Sequence, residues 1–87
     1  MKISFSDEGW ADYVYWQGQD RRTLKRINLL INDIKRNGNE GLGKPEALVG
    51  ILAGWWSRRI DEKNRLVSRI AGDLVEVSQC RYHYDDS

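Results

Sequence analysis

The hydrophobic pattern changes period twice along this chain, and the changes divide it into elements. Ile3 and Phe5 alternate with polar neighbours, the period-2 signature of a short strand. Ser6 then suits a helix N-cap, with Asp7 and Glu8 in a first turn that favours negative charge. Trp10, Tyr13, Val14 and Gln17 follow helical spacing, and Gly18 and Asp20 end this helix and begin another. In the second helix Leu24, Ile27, Leu30, Ile31 and Ile34 form one apolar stripe. Asn37-Gly38 stops it with residues that tolerate left-handed backbone. The helices are expected to form a hairpin, with Trp10 and the stripe in the core.

Residues 39–46 read as an irregular loop, because their glycines and the chain's single proline suit neither period. After it the β signal dominates. Strands are expected over Leu48–Leu52, Trp55–Ile60, Arg65–Ile70 and Leu74–Tyr82, with turns at Ala53-Gly54 and Ala71-Gly72-Asp73. The order β-α-α-β-β-β-β predicts one 1–87 domain of α+β class, a two-helix hairpin on one face of a mainly antiparallel β-sheet. A three-residue loop at 71–73 would put Arg65, Val67, Arg69, Val75, Val77, Gln79, Arg81 and His83 on the open face. Leu66, Ser68, Ile70, Leu74, Glu76, Ser78, Cys80, Tyr82 and Tyr84 would then face the helices. Arg59 joins the open face only if the next loop has odd length; an even one puts Arg58 there.

Composition narrows the class. Eighty-seven residues, 40% hydrophobic and 31% charged, suit one soluble core rather than a disordered chain. The mean hydropathy is -0.67. No run approaches the roughly 20 apolar residues of a membrane helix, and the N-terminus lacks a signal-peptide core, so the expected location is the cytoplasm. The single cysteine, Cys80, excludes an intrachain disulfide and is expected as a buried strand residue. Net charge is only +1, but residues 21–36 carry Arg21, Arg22, Lys25, Arg26, Lys35 and Arg36 against Asp33 alone. Such a block is either a solvated helix face or a phosphate-binding surface.

No P-loop, dinucleotide glycine pattern, HExxH or EF-hand is present, and no metal or other cofactor is expected. What remains is an arginine-rich sheet face, His83 near the end, and Glu46 in a glycine-bounded loop. A carboxylate, an imidazole and arginines are the parts needed to cleave RNA through its 2′-hydroxyl: a base, an acid, and cations matched to phosphate. Each also has a plainer reading. His83 suits a surface residue and Glu46 a solvated carboxylate. Arg58, Arg59 and Arg65 could pair with Asp61 and Glu62, and the four tryptophans with the core or an interface.

Several blocks together resemble a known family. Gly41-Leu-Gly-Lys-Pro-Glu46 followed by Leu48 is similar to the GxGKPExL signature of the YoeB/Txe branch of the RelE toxins. Leu52-Ala-Gly-Trp-Trp-Ser-Arg-Arg-Ile60 is similar to their LSGxWSRRI strand. Arg65-Leu-Val, Cys80-Arg-Tyr-His-Tyr84 and Trp10-x-x-Tyr13-x-Tyr15-Trp16 also match, in the family's order. The resemblance implies a RelE-like, microbial-ribonuclease-type fold and a toxin that cleaves messenger RNA in the ribosomal A site without metal. It implies Glu46 as general base, His83 as general acid, Arg65 on the phosphate with Arg59 in support, and Tyr84 positioning the nucleotide. Lys44, Arg58 and Arg81 are the expected RNA contacts. The implied partners are the 70S ribosome, a YefM-type antitoxin and a second copy of the chain, with DNA reached only through the antitoxin. A non-catalytic RNA- or ribosome-binding module, or a co-repressor, is the competing reading. Ala47 departs from the family's usual proline, Lys63-Asn64 from its usual acid and histidine, and Ser68 from a common aromatic. Asp85-Asp86-Ser87 extends beyond Tyr84 and brings negative charge towards His83.

Overall fold

A computed structural model describes residues 1–83. Strand β1 (Lys2–Phe5) leads into helices α1 (Asp7–Gln19) and α2 (Arg21–Asn37), followed by β2 (Glu46–Ala47), a 3₁₀ turn (Gly50–Leu52), β3 (Trp56–Arg59), β4 (Arg65–Ala71) and β5 (Leu74–Gln79). The five strands form one sheet in the order β1-β5-β4-β3-β2. The β1–β5 pair is parallel and the others are antiparallel. This is the α+β arrangement expected, with the helices packed on the sheet. Among the described residues no helix is long and apolar enough to cross a membrane.

The helix boundaries follow the local chemistry. The Ser6 hydroxyl accepts the Gly9 N–H at 3.0 Å, and the Asp20 carboxylate accepts the amides of Arg22 and Thr23. Gly38 ends α2 at φ 69°, donating its N–H to the Ile34 carbonyl. The α2 stripe supplies Ile27, Leu30, Ile31 and Ile34 to a core completed by Trp16, Ile60, Leu66, Val75, Val77 and Cys80. Trp10 does not join it: 53% exposed, it packs at the edge against Phe5 and Tyr13.

Three strand expectations are corrected. Leu48–Leu52 is no strand, because Gly50 takes φ 70° and breaks the pleat, leaving Val49 and Ile51 in solvent. The last strand ends at Gln79 rather than Tyr82, since Tyr82 itself turns to φ 65°. The β4–β5 turn has two residues, with Ala71 opposite Leu74, so Val75 and Val77 face the helices while Glu76 pairs with Arg69. A bulge then shifts the register: Ser68 faces Val77, but Val67 faces Gln79, and Ser78 has no opposite residue. The bulge reverses the parity again. Gln79 therefore falls beside Val67, and Cys80 returns to the core, on the sides first expected.

Candidate active site

Two antiparallel pairings bring the polar residues together. Glu46 lies opposite Ser57 on β2–β3, and Arg59 lies opposite Arg65 on β3–β4. Ser57 and Arg59, two apart on one strand, project to one side, so all four share a face. The five residues between Arg59 and Arg65 make the odd-length connection that places Arg59, not Arg58, there. His83 arrives from the segment after β5. Lys44, Glu46, Ser57, Arg59, Arg65 and His83 line a single cavity of about 160 Å³. Arg65 and Ser57 are buried at its floor, while Lys44, Glu46 and Arg59 are exposed at its rim. Three cations against one carboxylate make the cavity attractive to phosphate.

Each wall is held by identifiable bonds. Arg65 donates through Nη1 to the carbonyls of Asp61 (2.7 Å) and Asn64 (3.1 Å). Its Nε and Nη2 edge is the side geometrically suited to a bidentate phosphate contact. Asp61 shapes the same loop by accepting the amides of Lys63 and Asn64 and the Asn64 side chain. Burial pulls the Asp61 carboxyl upward, but those bonds outweigh it and hold it below the ordinary carboxylate range. The Asn64 Oδ1 accepts the Tyr82 N–H at 2.7 Å, and the Tyr82 carbonyl accepts the Arg65 N–H at 3.0 Å. The chain is thus clamped one residue before His83. Two residues earlier, the Cys80 amide donates to Asp12 (3.0 Å) and its carbonyl accepts the Trp16 indole N–H (2.8 Å).

On the opposite wall, Arg59 donates its amide to the Gly43 carbonyl at 2.7 Å, which docks the 38–44 loop on β3. Lys44 adopts φ 52°. With Tyr82, it is one of two non-glycine residues of left-handed backbone among those described, and the pair flank the cavity. Such conformations persist only where the surroundings impose them.

Not every candidate converges there. Arg58 is corrected as an RNA contact: it is 2% exposed, and its guanidinium is bonded to Asp33 and to the carbonyls of Gly38, Glu40 and Leu42. Strand alternation sends it to the helix side. Arg81 lines an adjoining groove, not the cavity. Tyr84 and the Asp85-Asp86-Ser87 extension lie outside the described residues. Ser57 was missed, although its place two residues before Arg59 would have put it on that face. Cys80 is fully buried, its thiol pushed up to about 12 by burial and then by Asp12, so it is no nucleophile at neutral pH. Among the described residues no cluster of three or more His, Cys, Asp or Glu side chains could hold a metal ion.

The sequence pattern described as the YoeB-like toxin of bacterial type II toxin-antitoxin systems matches residues 5–84. The chain belongs to that family. Toxin YoeB of Streptomyces coelicolor is 52% identical over 84 residues, covering 97% of this chain and all of the relative. A solved YoeB/ParE toxin from Agrobacterium tumefaciens superposes with a TM-score of 0.94 at 48% identity, covering 97% of this chain and 100% of that one. A YoeB-YefM complex from Staphylococcus aureus aligns at 0.91 and 41% identity, and a YoeB dimer from that organism at 0.91 and 42%. Each covers 97% of this chain and 98% of its own. The YoeB-like resemblance read from the GxGKPExL and WSRRI blocks is therefore established along nearly the whole chain.

Proposed function

We propose that this YoeB-like toxin is a ribosome-dependent endoribonuclease that cleaves messenger RNA in the A site, and so blocks translation. The observation that carries this reading is the convergence of Glu46, Arg59, Arg65 and His83 on one small cationic cavity. Glu46, at the rim, takes the proton from the 2′-hydroxyl. The 2′-oxygen attacks the adjacent phosphorus, and the bond to the 5′-oxygen breaks. His83 protonates that 5′-oxygen, leaving a 2′,3′-cyclic phosphate on one fragment and a 5′-hydroxyl on the other. Arg65, held by its Nη1 bonds, and Arg59 stabilise the charge that grows on the phosphoryl oxygens. Lys44 and Arg81 contact the flanking backbone, and Tyr84 positions the nucleotide. The chemistry needs no metal ion or other cofactor, because side chains supply the base, the acid and the counter-charge.

The partners follow from the relatives. The S. aureus complex supports a YefM-type antitoxin that neutralises this chain, and the S. aureus dimer supports a homodimer. DNA is met only through the antitoxin, and the work is done in the cytoplasm.

The test is expression in bacteria with primer extension on a translated message. The wild-type chain should arrest growth and cut at ribosome-occupied codons. Glu46→Ala with His83→Gln should abolish both while leaving the far-UV circular dichroism unchanged. A double variant that stays folded and still arrests growth without cutting would make the chain a binding module. Cuts confined to naked RNA would remove the ribosome from the proposal.

A further inference from the structure

Beside the catalytic cavity runs a wider groove of about 620 Å³, and His83 lines both. Its wall is a layered stack. The Arg81 guanidinium lies 3.5 Å from the centre of the Tyr15 ring and 4.5 Å from that of Tyr82. Tyr82 is the outer layer and is 60% exposed. Its backbone sits at φ 65°, a costly conformation for a residue with a Cβ, fixed by the Asn64 and Arg65 bonds described above.

A tyrosine held in that conformation, backed on one face by a cation and otherwise open, adds nothing to the core. Its cost is understandable if the exposed ring has a ligand. Aromatic rings take unpaired bases by stacking, whatever the base, since every base offers a π-face. The groove lies within the size range of small-ligand pockets, about 300–1,000 Å³, and has room for one nucleotide. Arg81 and Lys63 outweigh Glu62 along it, which suits a phosphate-bearing chain rather than an acidic peptide.

We propose that Tyr82, supported by Arg81 and Tyr15, is a stacking platform for the base of the RNA nucleotide next to the scissile phosphate. The inference rests on the ribonuclease reading, since His83 is the residue shared by groove and cavity. It assigns the groove to single-stranded RNA, held by the π-face rather than by base edges, so it should tolerate all four bases.

The test uses the full chain and an RNA trinucleotide carrying a 2′-O-methyl group at the central sugar, which blocks cleavage but not binding. Titration followed by NMR of the tyrosine rings should shift the Tyr82 resonances together with those of His83. Tyr82→Leu and Tyr82→Ala should weaken trinucleotide binding and slow cleavage on programmed ribosomes, each by about tenfold. Tyr82→Phe and Tyr82→Trp should stay within about threefold of wild type, and Tyr82→Leu keeps the test decisive if the alanine variant unfolds. Shifts at His83 with none at Tyr82, or wild-type rates in a folded Tyr82→Leu, would overturn the platform and leave the ribonuclease intact. Tyr82 shifts that depend on protein concentration and not on RNA would give the groove to a second copy instead. A chain that neither binds the trinucleotide nor cuts message would fail earlier, at the ribonuclease reading.

Discussion

The buried Arg58 and the part-buried Asp33 form an ion pair, 2.5 Å between Nη1 and Oδ2, that joins β3 to α2. The same guanidinium reaches the carbonyls of Gly38, Glu40 and Leu42, so one side chain ties the loop after α2 to the sheet. That loop carries Lys44 and leads into Glu46. Asp33 keeps its bonds from the Leu42 amide and the Asn37 side chain without Arg58, but the carbonyls of Gly38, Glu40 and Leu42 lose their donor. Arg58→Ala should therefore lose about 1–3 kcal/mol in urea denaturation, the usual cost of stranding buried polar groups. Arg59→Ala, one residue on but exposed, should lose less than about 1 kcal/mol and act on cleavage instead.

The same pair gives the fold an acid limb. The Arg58 guanidinium, then the Leu42 amide, hold the Asp33 carboxyl below its ordinary value of 3.8. Below that value the unfolded chain takes up a proton more readily than the folded one. Asp33's contribution is complete above the ordinary Asp range and is lost as pH falls through and beneath it. Asp12 acts in the opposite sense. Burial raises its carboxyl against the pull of the Cys80 amide, so its ionisation opposes folding as pH rises past 3.8. Urea midpoints measured from about pH 2.5 to 7 should fall less steeply in acid for Asp33→Asn than for wild type, and more steeply for Asp12→Asn.

The neighbouring arginines also show what the sequence could and could not convey. Alternation alone proves that Arg58 and Arg59 face opposite ways, but which one reaches the cavity depends on loop length. The five-residue connection to Arg65 decides it. Caps at Ser6, Asp20 and Gly38 were legible because their bonds are local. Leu48–Leu52 was not, since an apolar run does not announce that Gly50 will turn left-handed. On β5 the hydrophobic count favoured the wrong face: a two-residue turn moved Val75 and Val77 inward, and the bulge at Ser78 restored the parity before Cys80. Arg65 and His83 still meet, but through the Tyr82 turn and its bonds to Asn64 and Arg65 rather than through strand parity, since β5 ends at Gln79. Glu46 and His83 line one cavity, a meeting made by tertiary structure that no period along the chain could announce.

Cys80 tests the packing beneath that strand end. Its thiol is fully buried, 3.8 Å from the Gly9 carbonyl, and raised to about 12, so almost no thiolate exists at neutral pH. Maleimide labelling of the native protein at about pH 7.5 should be at least a hundredfold slower than in denaturant. Cys80→Ala should leave cleavage near wild type and cost about 1–2 kcal/mol of stability through the cavity it opens. Rapid native labelling would mean that the 80–83 segment opens readily, and the clamp by Asp12 and Trp16 would then be weaker than its geometry suggests.

Asn64 bonds to both Arg65 and Tyr82 from just outside the cavity, and its effect should appear in catalysis more than in folding. Its carbonyl accepts from the Arg65 guanidinium, and its side-chain oxygen accepts from the Tyr82 amide, so one residue braces both Arg65 and the segment leading to His83. Only the second depends on the side chain. Asn64→Ala therefore leaves Arg65 its carbonyl acceptors but removes one of the two bonds that hold Tyr82 in its left-handed turn, and so loosens the seat of His83. A misplacement of about 1 Å in an acid costs up to about a hundredfold in rate. Cleavage on programmed ribosomes should fall by about tenfold to a hundredfold at saturating ribosome concentration, with little change in apparent affinity. The Tyr82 amide should also lose its hydrogen-exchange protection. Asn64→Asp keeps the acceptor for Tyr82 but sets a second carboxylate against Asp61, and should recover only part of the rate. An alanine variant with wild-type turnover would show that His83 finds its place without this clamp.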